Sequence, residues 1–575
     1  MKIRTLKDLK KTLKKKNLNT LPSIKVALLG DNATQLLGIA LKGVGIERGF
    51  NIELFEANYN QVERQFLDPT SELYSFDPDY VVVSQSTHKL LSIFNKKEVE
   101  IQSEVADERL EFVKLICNSI KSKLIYFNYP EIDDNVFGSY ANKVESSFTY
   151  QIRKINYELM NLSKLNPNLF ICDISSLQNK FGRDMLFDSS LYITSEMVFS
   201  IDAIPYVANR TIDIICADQG KFKKCLILDL DNTIWGGIIG DDGLENIQIG
   251  NGLGIGKSFS EFQEWIKKLK NRGVIIAICS KNNEKIAKDP FEKHPNMILK
   301  LNDISVFVAN WNNKADNIKQ IQSILNINFD SMVFIDDNPF ERNMVRENVP
   351  EVIVPELPED PGEYLEYLYS LNLFETLSYS NADVDRTKQY QVESQRIKIQ
   401  KSFTNEVEFL KSLSMVSIVK PFDKFNTPRV SQLSQRSNQF NLRTIRYSEA
   451  DIENICNDKN YKNFSFTLSD KYGDHGLICI VILEKKNKED LFVNTWLMSC
   501  RVLNRGMENF TFNKIVEYAK ENGFKKIIGE YIETPKNKVV RSHYQKLGFS
   551  PIDSDGQKLF ELEVDDYEKK EYFIS

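Results

Sequence analysis

This chain of 575 residues has few histidines and few cysteines, four and eight respectively. No two cysteines form a Cys-x-x-Cys pair, and several lie inside apolar runs, which indicates reduced and mostly buried thiols. Uninterrupted apolar segments are short, since none approaches the ~20 residues that a membrane-spanning helix needs. The first residues also lack the apolar core of a signal peptide. We therefore expect a cytoplasmic protein with no membrane span.

The chain also lacks an excess of charge of one sign. It has 74 basic and 80 acidic residues, for a formal net charge of −6, which excludes a general affinity for nucleic acid or membrane. Its hydrophobic content of 42% is ordinary for a globular protein. The chain is too long for one hydrophobic core, so roughly three or four domains are expected.

Short apolar runs alternate with helical patterns over the first two thirds of the chain, which predicts an α/β fold with mostly parallel sheets. Residues 221–372 show this alternation most regularly, and the final segment, 413–575, is typical of an α+β domain. The predicted strands are 24–29, 80–83, 124–128, 169–173, 225–230, 274–279, 304–309, 332–335 and 352–354, and the predicted helices of the regular segment are 258–271, 314–325 and 339–347.

Six polar residues follow these apolar runs or open a helix. The segment 225–233, Cys-Leu-Ile-Leu-Asp-Leu-Asp-Asn-Thr, is a strand that ends in two alternating aspartates, and a later strand ends in an aspartate pair. Because the carboxyl ends of parallel strands meet at one edge of a sheet, these groups should lie together where such folds bind ligands. Clustered carboxylates with one lysine suit a hard cation and a phosphate. The six residues are Asp229, Asp231, Ser280, Lys314, Asp336 and Asp337.

Phosphoryl transfer requires a nucleophile, an acid and cations that neutralise developing charge. Asp229 would attack phosphorus and Asp231 would protonate the leaving oxygen, provided that a turn directly after Asp229 points both carboxyl groups into one pocket. Thr233, Ser280 and Lys314 would hold the phosphoryl oxygens. The sequence therefore predicts an enzyme that acts on a small phosphorylated metabolite.

Mg²⁺ is the expected cofactor, because hard cations prefer oxygen ligands. Asp229 and Asp336 would bind the ion together with a backbone carbonyl, which we assign to Asp231. Asp337 would support the site through water or through Lys314.

The order DxDxT, Ser, Lys, DD resembles the haloacid dehalogenase (HAD) superfamily of phosphotransferases. The flanking residues are more specific and resemble its FkbH-like branch, in subfamily IIIC, closely over about 220–575 and loosely before that. The motifs that carry the resemblance are 229–243 (Asp-Leu-Asp-Asn-Thr-Ile-Trp-Gly-Gly-Ile-Ile-Gly-Asp-Asp-Gly), 279–282 (Cys-Ser-Lys-Asn), 294–297 (His-Pro-Asn-Met), Trp311 with Lys314, 336–342 (Asp-Asp-Asn-Pro-Phe-Glu-Arg) and 432–442 (Gln-Leu-Ser-Gln-Arg-Ser-Asn-Gln-Phe-Asn-Leu).

The resemblance implies one of two activities. FkbH-like proteins are similar to enzymes that take 1,3-bisphosphoglycerate, lose phosphate and place a glyceryl group on the phosphopantetheine thiol of an acyl carrier protein. Related branches are phosphatases, which here would act on a phosphorylated sugar or acid in polysaccharide or secondary-metabolite synthesis. A third interpretation, a scaffold that binds a phosphorylated ligand without turnover, does not require the nucleophile that the chain retains.

Cys279 stands next to Ser280 and has two interpretations. It could be an acyl-accepting thiol at the site. Alternatively it is a buried strand cysteine that faces away from Ser280, because neighbours on a strand point to opposite sides.

The spacing of the motifs leaves no room for a lid domain. Fifty residues separate Asp229 from Ser280, and 33 separate Ser280 from Lys314, and both gaps are already filled by short predicted elements. We therefore expect a capless pocket that is open at its mouth and suits a bulky substrate.

The first domain resembles SGNH-type hydrolases at 29–34, Leu-Gly-Asp-Asn-Ala-Thr. Where that family has a nucleophilic serine, this chain has Asn32. The segment that begins at Asp188 lacks the histidine of a DxxH motif. Without a serine and a base there is no activated nucleophile, so we expect a non-catalytic domain for docking or substrate enclosure.

The last domain resembles GNAT acyltransferases. A predicted strand at 491–499 precedes a loop with Arg505 and Gly506, and the resemblance implies that this loop offers N–H groups to a pantetheine pyrophosphate. Asn504 departs from the glycine of the family pattern. Tyr544 matches the position that protonates a leaving thiolate, or it packs the last helix on the sheet.

The predicted architecture is therefore α/β with three domains joined in one chain. An SGNH-like, flavodoxin-like domain spans 1–218, and a capless HAD-like Rossmannoid domain with a parallel sheet spans 219–375. A linker, 376–425, leads to a GNAT-like α+β domain at 426–575. Cys279, Arg505, Gly506 and Tyr544 are the candidate residues for acyl transfer.

Overall fold

The structure is a computed structural model that describes residues 4–15, 20–379, 383, 386–400, 403, 405–534, 536–552 and 557–575. The chain divides into two compact units, of which the first ends at Cys216 and the second spans Ala217–Ser575. None of the helices within the described ranges combines the length and the apolar character that crossing a membrane requires.

The first unit is built on a five-stranded parallel sheet in the order β2-β1-β3-β4-β5. Its central strands are almost wholly buried, as expected for a parallel sheet covered by helices on both faces. The strands are β1 (Ser23–Gly30), β2 (Asn51–Glu56), β3 (Tyr80–Ser84), β4 (Lys123–Phe127) and β5 (Leu169–Cys172). The helices are Leu6–Lys15, Gln35–Glu47, Val62–Leu67, Glu72–Phe76, Thr87–Asn95, Val105–Ser119, Phe148–Leu165, Ile174–Phe181, Arg183–Leu186, Ser189–Ser195 and Ile204–Asp218, the last of which ends in the second unit.

The second unit begins with a four-stranded parallel sheet in the order β8-β7-β6-β9, here called the central sheet. Along β6, Leu226 and Leu228 face one apolar core while Cys225 and Ile227 face the other, so both faces are covered. The strands are β6 (Cys225–Leu228), β7 (Ile275–Ser280), β8 (Val306–Ala309) and β9 (Met332–Ile335). The helices around them are Ile239–Asp242, Ile255–Asn271, Glu284–Lys293, Lys314–Leu325, Pro339–Asn348 and Tyr364–Leu371.

The connections at the carboxyl edge of the central sheet contain no separate lid domain. Every residue between β6 and β8 is described, and these residues form β7, three α-helices, a short 3₁₀ helix and loops. β6 pairs with both β7 and β9. The strand order therefore reverses beside β6, which is where open α/β sheets bind ligands.

The last part of the chain forms a mixed sheet, here called the C-terminal sheet, in the order β10-β12-β13-β14-β15-β17-β16, with β11 paired to β14. β14 and β15 run parallel over a stretch of four residue pairs only. The strands are β10 (Val419–Lys420), β11 (Phe440–Asn441), β12 (Tyr461–Asp470), β13 (Gly473–Lys485), β14 (Asp490–Met498), β15 (Lys526–Glu530), β16 (Ser550–Ile552) and β17 (Leu559–Glu563). The helices are Arg386–Gln400, Glu406–Ser412, Thr427–Arg436, Glu449–Asn457, Met507–Glu521 and His543–Leu547.

Candidate active site

A tight turn after β6 presents the two alternating aspartates. The backbone N–H of Asp229 donates to the carbonyl of Ile335 at 3.0 Å, which ties the end of β6 to β9. The chain then turns at Leu230, whose carbonyl accepts from the N–H of Thr233 at 3.1 Å. Asn232 takes the left-handed conformation inside this turn, with a φ of 54°, which asparagine tolerates better than most residues.

Lys314 links the ends of β6 and β9. It is the first residue of the helix after β8, and its ammonium lies 2.7 Å from Asp229 Oδ2 and 2.5 Å from Asp336 Oδ2. All three side chains are buried. Burial alone would lower the pKa of Lys314, but the two carboxylates outweigh it and raise that pKa. Lys314 is therefore a fixed positive charge at the carboxyl edge.

Three carboxylates converge next to this lysine. One oxygen from each of Asp229, Asp336 and Asp337 lies within 4.8 Å of the other two, a grouping that could hold a metal ion. Asp229 Oδ1 is buried and has no hydrogen-bond partner. Burial raises the pKa of Asp336 to about 7, the charge of Asp229 adds to this rise, and Lys314 opposes it. The unpaired oxygen and the excess of negative charge both fit a bound divalent cation.

Asp231 lies in a different environment from Asp229. Its Oδ1 accepts from the indole N–H of Trp235 at 2.9 Å and from the backbone N–H of Ile239 at 3.0 Å, and its Oδ2 accepts from Asn282 at 3.0 Å. Burial raises the pKa of Asp231, and these hydrogen bonds oppose that rise. Because both oxygens are engaged, the carboxylate of Asp231 is not part of the three-carboxylate grouping.

The second aspartate of the pair after β9 is also held in place. Asp337 Oδ1 accepts from the hydroxyl of Thr233 at 3.1 Å, and the backbone N–H of Asp337 donates back to that hydroxyl at 3.2 Å. Arg342 donates to the backbone carbonyls of Asp336 and Asp337 at 2.8 and 2.6 Å and pairs with Glu356 at 2.7 Å. Thr233 therefore positions a carboxylate, whereas the sequence assigned it to phosphate binding.

The end of β7 brings Ser280 to the same edge, where it is buried with 1% of its surface exposed. Its neighbour Cys279 is wholly buried, and its thiol lies 3.7 Å from the backbone carbonyl of Lys314. Burial raises the pKa of the Cys279 thiol. A buried thiol of raised pKa is a poor nucleophile, so the geometry favours the interpretation of Cys279 as a core residue.

Of the candidate residues in the last part of the chain, Arg505 and Tyr544 are buried and Gly506 is half-buried. Arg505 is buried with 5% of its surface exposed, and its guanidinium pairs with Glu393 and lies 3.1 Å from His475. Gly506, with a φ of 77°, precedes the helix Met507–Glu521. The ring of Tyr544 is buried against Phe560 of β17 and against Phe549, which precedes β16. Packing accounts for the contacts of Tyr544.

Polar groups of the first unit lie where the sequence placed them but serve local structure. Asn32 is buried, and its side-chain amide donates to the carbonyl of Ser84 at 2.8 Å. Asp188 caps a helix by accepting from the backbone N–H groups of Ser190 and Leu191. Both contacts hold local backbone in place.

Trp235 and Asn282 were not singled out from the sequence, although both lie inside the quoted motifs. From the sequence alone, a tryptophan in a Trp-Gly-Gly segment is expected to pack in the core, and nothing in that pattern shows that its indole N–H reaches Asp231. An asparagine after Ser-Lys is expected to begin a helix. Their contacts with Asp231 depend on two separate loops that meet only in the folded chain.

Comparison with known proteins relates the chain to a family model and to a solved structure. Residues 25–216 match the family described as FkbH, N-terminal domain. The chain is 65% identical to the crystallised N-terminal part of the protein BF1531 from Bacteroides fragilis, which contains a phosphatase domain and was complexed with Mg. That match covers 65% of this chain and 100% of the other, with a TM-score of 0.64. No curated protein matches the chain.

Weaker matches are to acetyltransferases. The ribosomal-protein-S18-alanine N-acetyltransferase from Escherichia coli is 14% identical, with coverage of 28% of this chain and 100% of that one and a TM-score of 0.21. Mutant forms of the spermidine/spermine N-acetyltransferase SpeG from Vibrio cholerae are also 14% identical, with coverage of 26% and 95% and a TM-score of 0.21. Scores this low carry no argument about the activity of this chain.

Proposed function

We propose that this chain, which belongs to the family of the Bacteroides fragilis protein BF1531, is a Mg²⁺-dependent phosphatase or phosphotransferase of the HAD type that acts on a small phosphorylated metabolite. One observation carries the proposal. Asp229 binds Lys314 through Oδ2 and leaves Oδ1 buried and without a partner, in a grouping with Asp336 and Asp337. A buried carboxylate oxygen without a partner is costly unless a ligand uses it.

The residues present fit Mg²⁺. Asp229, Asp336 and Asp337 would hold the ion through oxygen atoms, which Mg²⁺ prefers. Three carboxylates face one lysine, so a divalent cation would balance the remaining negative charge. Bound there, Mg²⁺ would neutralise charge on the phosphoryl group.

Each side chain of the site would have its own role in phosphoryl transfer. Asp229 would attack phosphorus, and Lys314, which is held between two carboxylates, would orient a phosphoryl oxygen. Asp231, whose pKa is raised by burial, would give its proton to the leaving oxygen. Ser280 stands at the same edge and would hold another phosphoryl oxygen.

We further propose that the substrate is an acyl phosphate such as 1,3-bisphosphoglycerate and that the acceptor is the phosphopantetheine thiol of an acyl carrier protein. The carrier thiolate would form a bond to the acyl carbon and displace phosphate. At the ester end Asp229 would take the phosphoryl group while Asp231 protonates the leaving alkoxide, and water would then hydrolyse the aspartyl phosphate and release phosphate. The resemblance to FkbH-like proteins supports this proposal, and so does a pocket without a lid, which suits a carrier arm. All eight cysteines are free, which suits the cytoplasm, where we place the protein.

A plain phosphatase of a phosphorylated sugar or acid is the second candidate. It is favoured by the burial of Cys279, Arg505 and Tyr544, because none of these residues then offers an acyl-transfer group to a ligand. In that case the SGNH-like first domain and the GNAT-like last domain, both non-catalytic, would shape or dock the substrate. A scaffold without turnover is the third candidate.

One experiment separates the three. The protein is incubated with Mg²⁺, 1,3-bisphosphoglycerate labelled in its acyl group, and a carrier protein that bears phosphopantetheine. Label on the carrier supports glyceryl transfer, whereas free phosphate without labelled carrier leaves the phosphatase. Asp229→Asn should abolish release of the ester phosphate in either case, because an amide is a poor nucleophile. Unchanged release of the ester phosphate by this variant would contradict the mechanism and favour a scaffold.

A further inference from the structure

A second pocket lies between the central sheet and the C-terminal sheet. Its cavity volume is about 80 Å³, several times the roughly 10–15 Å³ that one water molecule needs. On one side its wall is formed by residues at the amino edge of the central sheet, among them Lys224 and Ile275. On the other side the wall is formed by the end of the helix Thr427–Arg436 and by residues that follow β14.

The wall of this pocket is strongly basic. Of the described residues that line it, five are cationic and none is acidic. The five are Lys224, Arg386, Arg429, Arg436 and Arg501. Protein cavities are seldom lined in this way, because like charges repel each other more strongly away from water.

Internal partners balance only part of this charge. Asp383, which is fully buried, pairs with both Arg386 and Arg436. The contacts of the other three cations are with uncharged groups: Lys224 donates to the carbonyl of Arg436 at 2.9 Å, Arg429 to the amide of Gln432, and Arg501 to Ser499 at 3.2 Å and to Gln389. Among the residues that the structure describes, positive charge therefore remains in excess at the wall.

Carboxylates behind the wall are committed to other cations. Glu393 pairs with Arg396 and Arg505. Asp330 pairs with Lys536 at 2.8 Å. The wall thus has no second carboxylate of its own among the residues described.

Two further observations indicate an empty anion site. The Nε of Arg436 is buried without a hydrogen-bond partner. Burial lowers the pKa of Lys224 to about 8 and that of Arg429 to about 9, and neighbouring cations contribute to both shifts. An anion in the pocket would reverse both effects, because it would pair with the free donor and offset the repulsion.

We propose that this pocket binds a compact phosphorylated anion with at least two negative charges and that the anion joins the central sheet to the C-terminal sheet. The guanidinium group of an arginine can donate two parallel hydrogen bonds to a pair of phosphate oxygens. Phosphate is therefore the group that a wall of arginines recognises. The ligand is distinct from the substrate of the carboxylate site.

The two sites are at opposite edges of the central sheet. Lys224 precedes β6 and Asp229 follows it. Five residues of extended chain, at roughly 3.3 Å each, separate them by about 16 Å. One phosphate group cannot contact both residues.

The test is calorimetric titration of the full chain with inorganic pyrophosphate in buffer that contains EDTA. Without a divalent cation the carboxylate site repels anions, so binding reports on the basic pocket. We expect saturable binding of one equivalent and a rise in the melting temperature. Arg429→Met and Arg501→Met should each weaken binding roughly tenfold or more. Without ligand they should melt no lower than the unchanged protein, since each removes an unbalanced charge.

Arg346→Met is the matched control, because Arg346 pairs with Glu356 near the other edge of the central sheet. It should leave pyrophosphate binding unchanged. Absence of saturable binding to the unchanged protein would overturn the proposal. Binding that is unaltered in both pocket variants, or that is lost in Asp229→Asn, would also overturn it.

Discussion

Two aspartates separated by one residue are given different chemistry by their surroundings. Asp229 faces a buried lysine and keeps one oxygen free, whereas Asp231 is surrounded by three N–H donors and has a raised pKa. Pairs of carboxyls whose environments differ in this way divide the roles of nucleophile and acid. The arrangement indicates that Asp229 reacts as the anion and that Asp231 supplies the proton.

The role of Asp231 predicts a dependence on the leaving group. Asp231→Asn should lower kcat for an alkyl phosphate by about 10²–10⁴-fold, because the alkoxide leaves poorly without a proton. The effect should be much smaller for an aryl phosphate with an acidic phenol. In the unchanged enzyme, kcat for the alkyl phosphate should fall as pH rises through the raised pKa of Asp231. The measurement is a comparison of kcat for the two substrates from acid to alkaline pH.

Asp241→Asn is the matched control, since Asp241 is an exposed aspartate in the same connection after β6. It should leave both rates unchanged. An equal loss of activity on the two phosphates in Asp231→Asn would contradict the assignment of Asp231 as an acid.

The six acidic, hydroxyl and lysine residues could be predicted from the sequence because each follows an apolar run at a strand end or opens a helix. Trp235 and Asn282 could not, because a side chain that positions another leaves no pattern of its own. Phosphate binding by Thr233 stays a prediction, and its contact with Asp337 could not be predicted from the sequence. Its hydroxyl is used by Asp337, and only coordinates show which neighbour a buried hydroxyl binds.

At the level of elements, the connection after β6 contains the acid, Asp231, and also influences its pKa. Trp235 is fully buried and packs edge-on against Phe291, so its indole is fixed while its N–H points to Asp231 at 2.9 Å. This hydrogen bond lowers the pKa of Asp231 and partly offsets burial. The connection therefore limits the rise in the pKa of Asp231.

Trp235→Phe should preserve most of the packing and remove that hydrogen bond. The pKa of Asp231 should then rise, so the alkaline fall of kcat for an alkyl phosphate should move upward by roughly one pH unit. Trp265→Phe provides the control, because Trp265 packs against other aromatic residues of the same domain and has no contact with Asp231. A pH profile that is unmoved in Trp235→Phe would show that the indole only packs.

Elements with strong apolar signals were predicted closely. The helix over 314–325 and the strand over 332–335 have the predicted bounds.

β2 was missed, because Asn51–Glu56 lies at the sheet edge, is buried at a single position and therefore carries a weak apolar pattern. The expected strand at 352–354 is reduced to a single bridge between Val333 and Ile353. The expected linker also contains the helices Arg386–Gln400 and Glu406–Ser412.

At the level of the whole molecule, the central sheet has opposite charge at its two edges. Carboxylates gather at the carboxyl edge and cations at the amino edge, where the C-terminal sheet completes a pocket. The first site could be predicted because its residues follow successive strands of one sheet. The second could not, because Lys224, Arg429 and Arg501 are far apart in sequence and belong to elements with no shared pattern.

The central claim is that Asp229 forms a bond to phosphorus. Borohydride reduces an aspartyl phosphate to homoserine, so the enzyme is treated with borohydride during turnover of a phosphorylated substrate and its peptides are sequenced by mass spectrometry. Homoserine at position 229, formed with Mg²⁺ and absent with EDTA or in Asp229→Asn, is the predicted result. Homoserine at position 231, 336 or 337, or its absence from every position while phosphate is released, would contradict the claim.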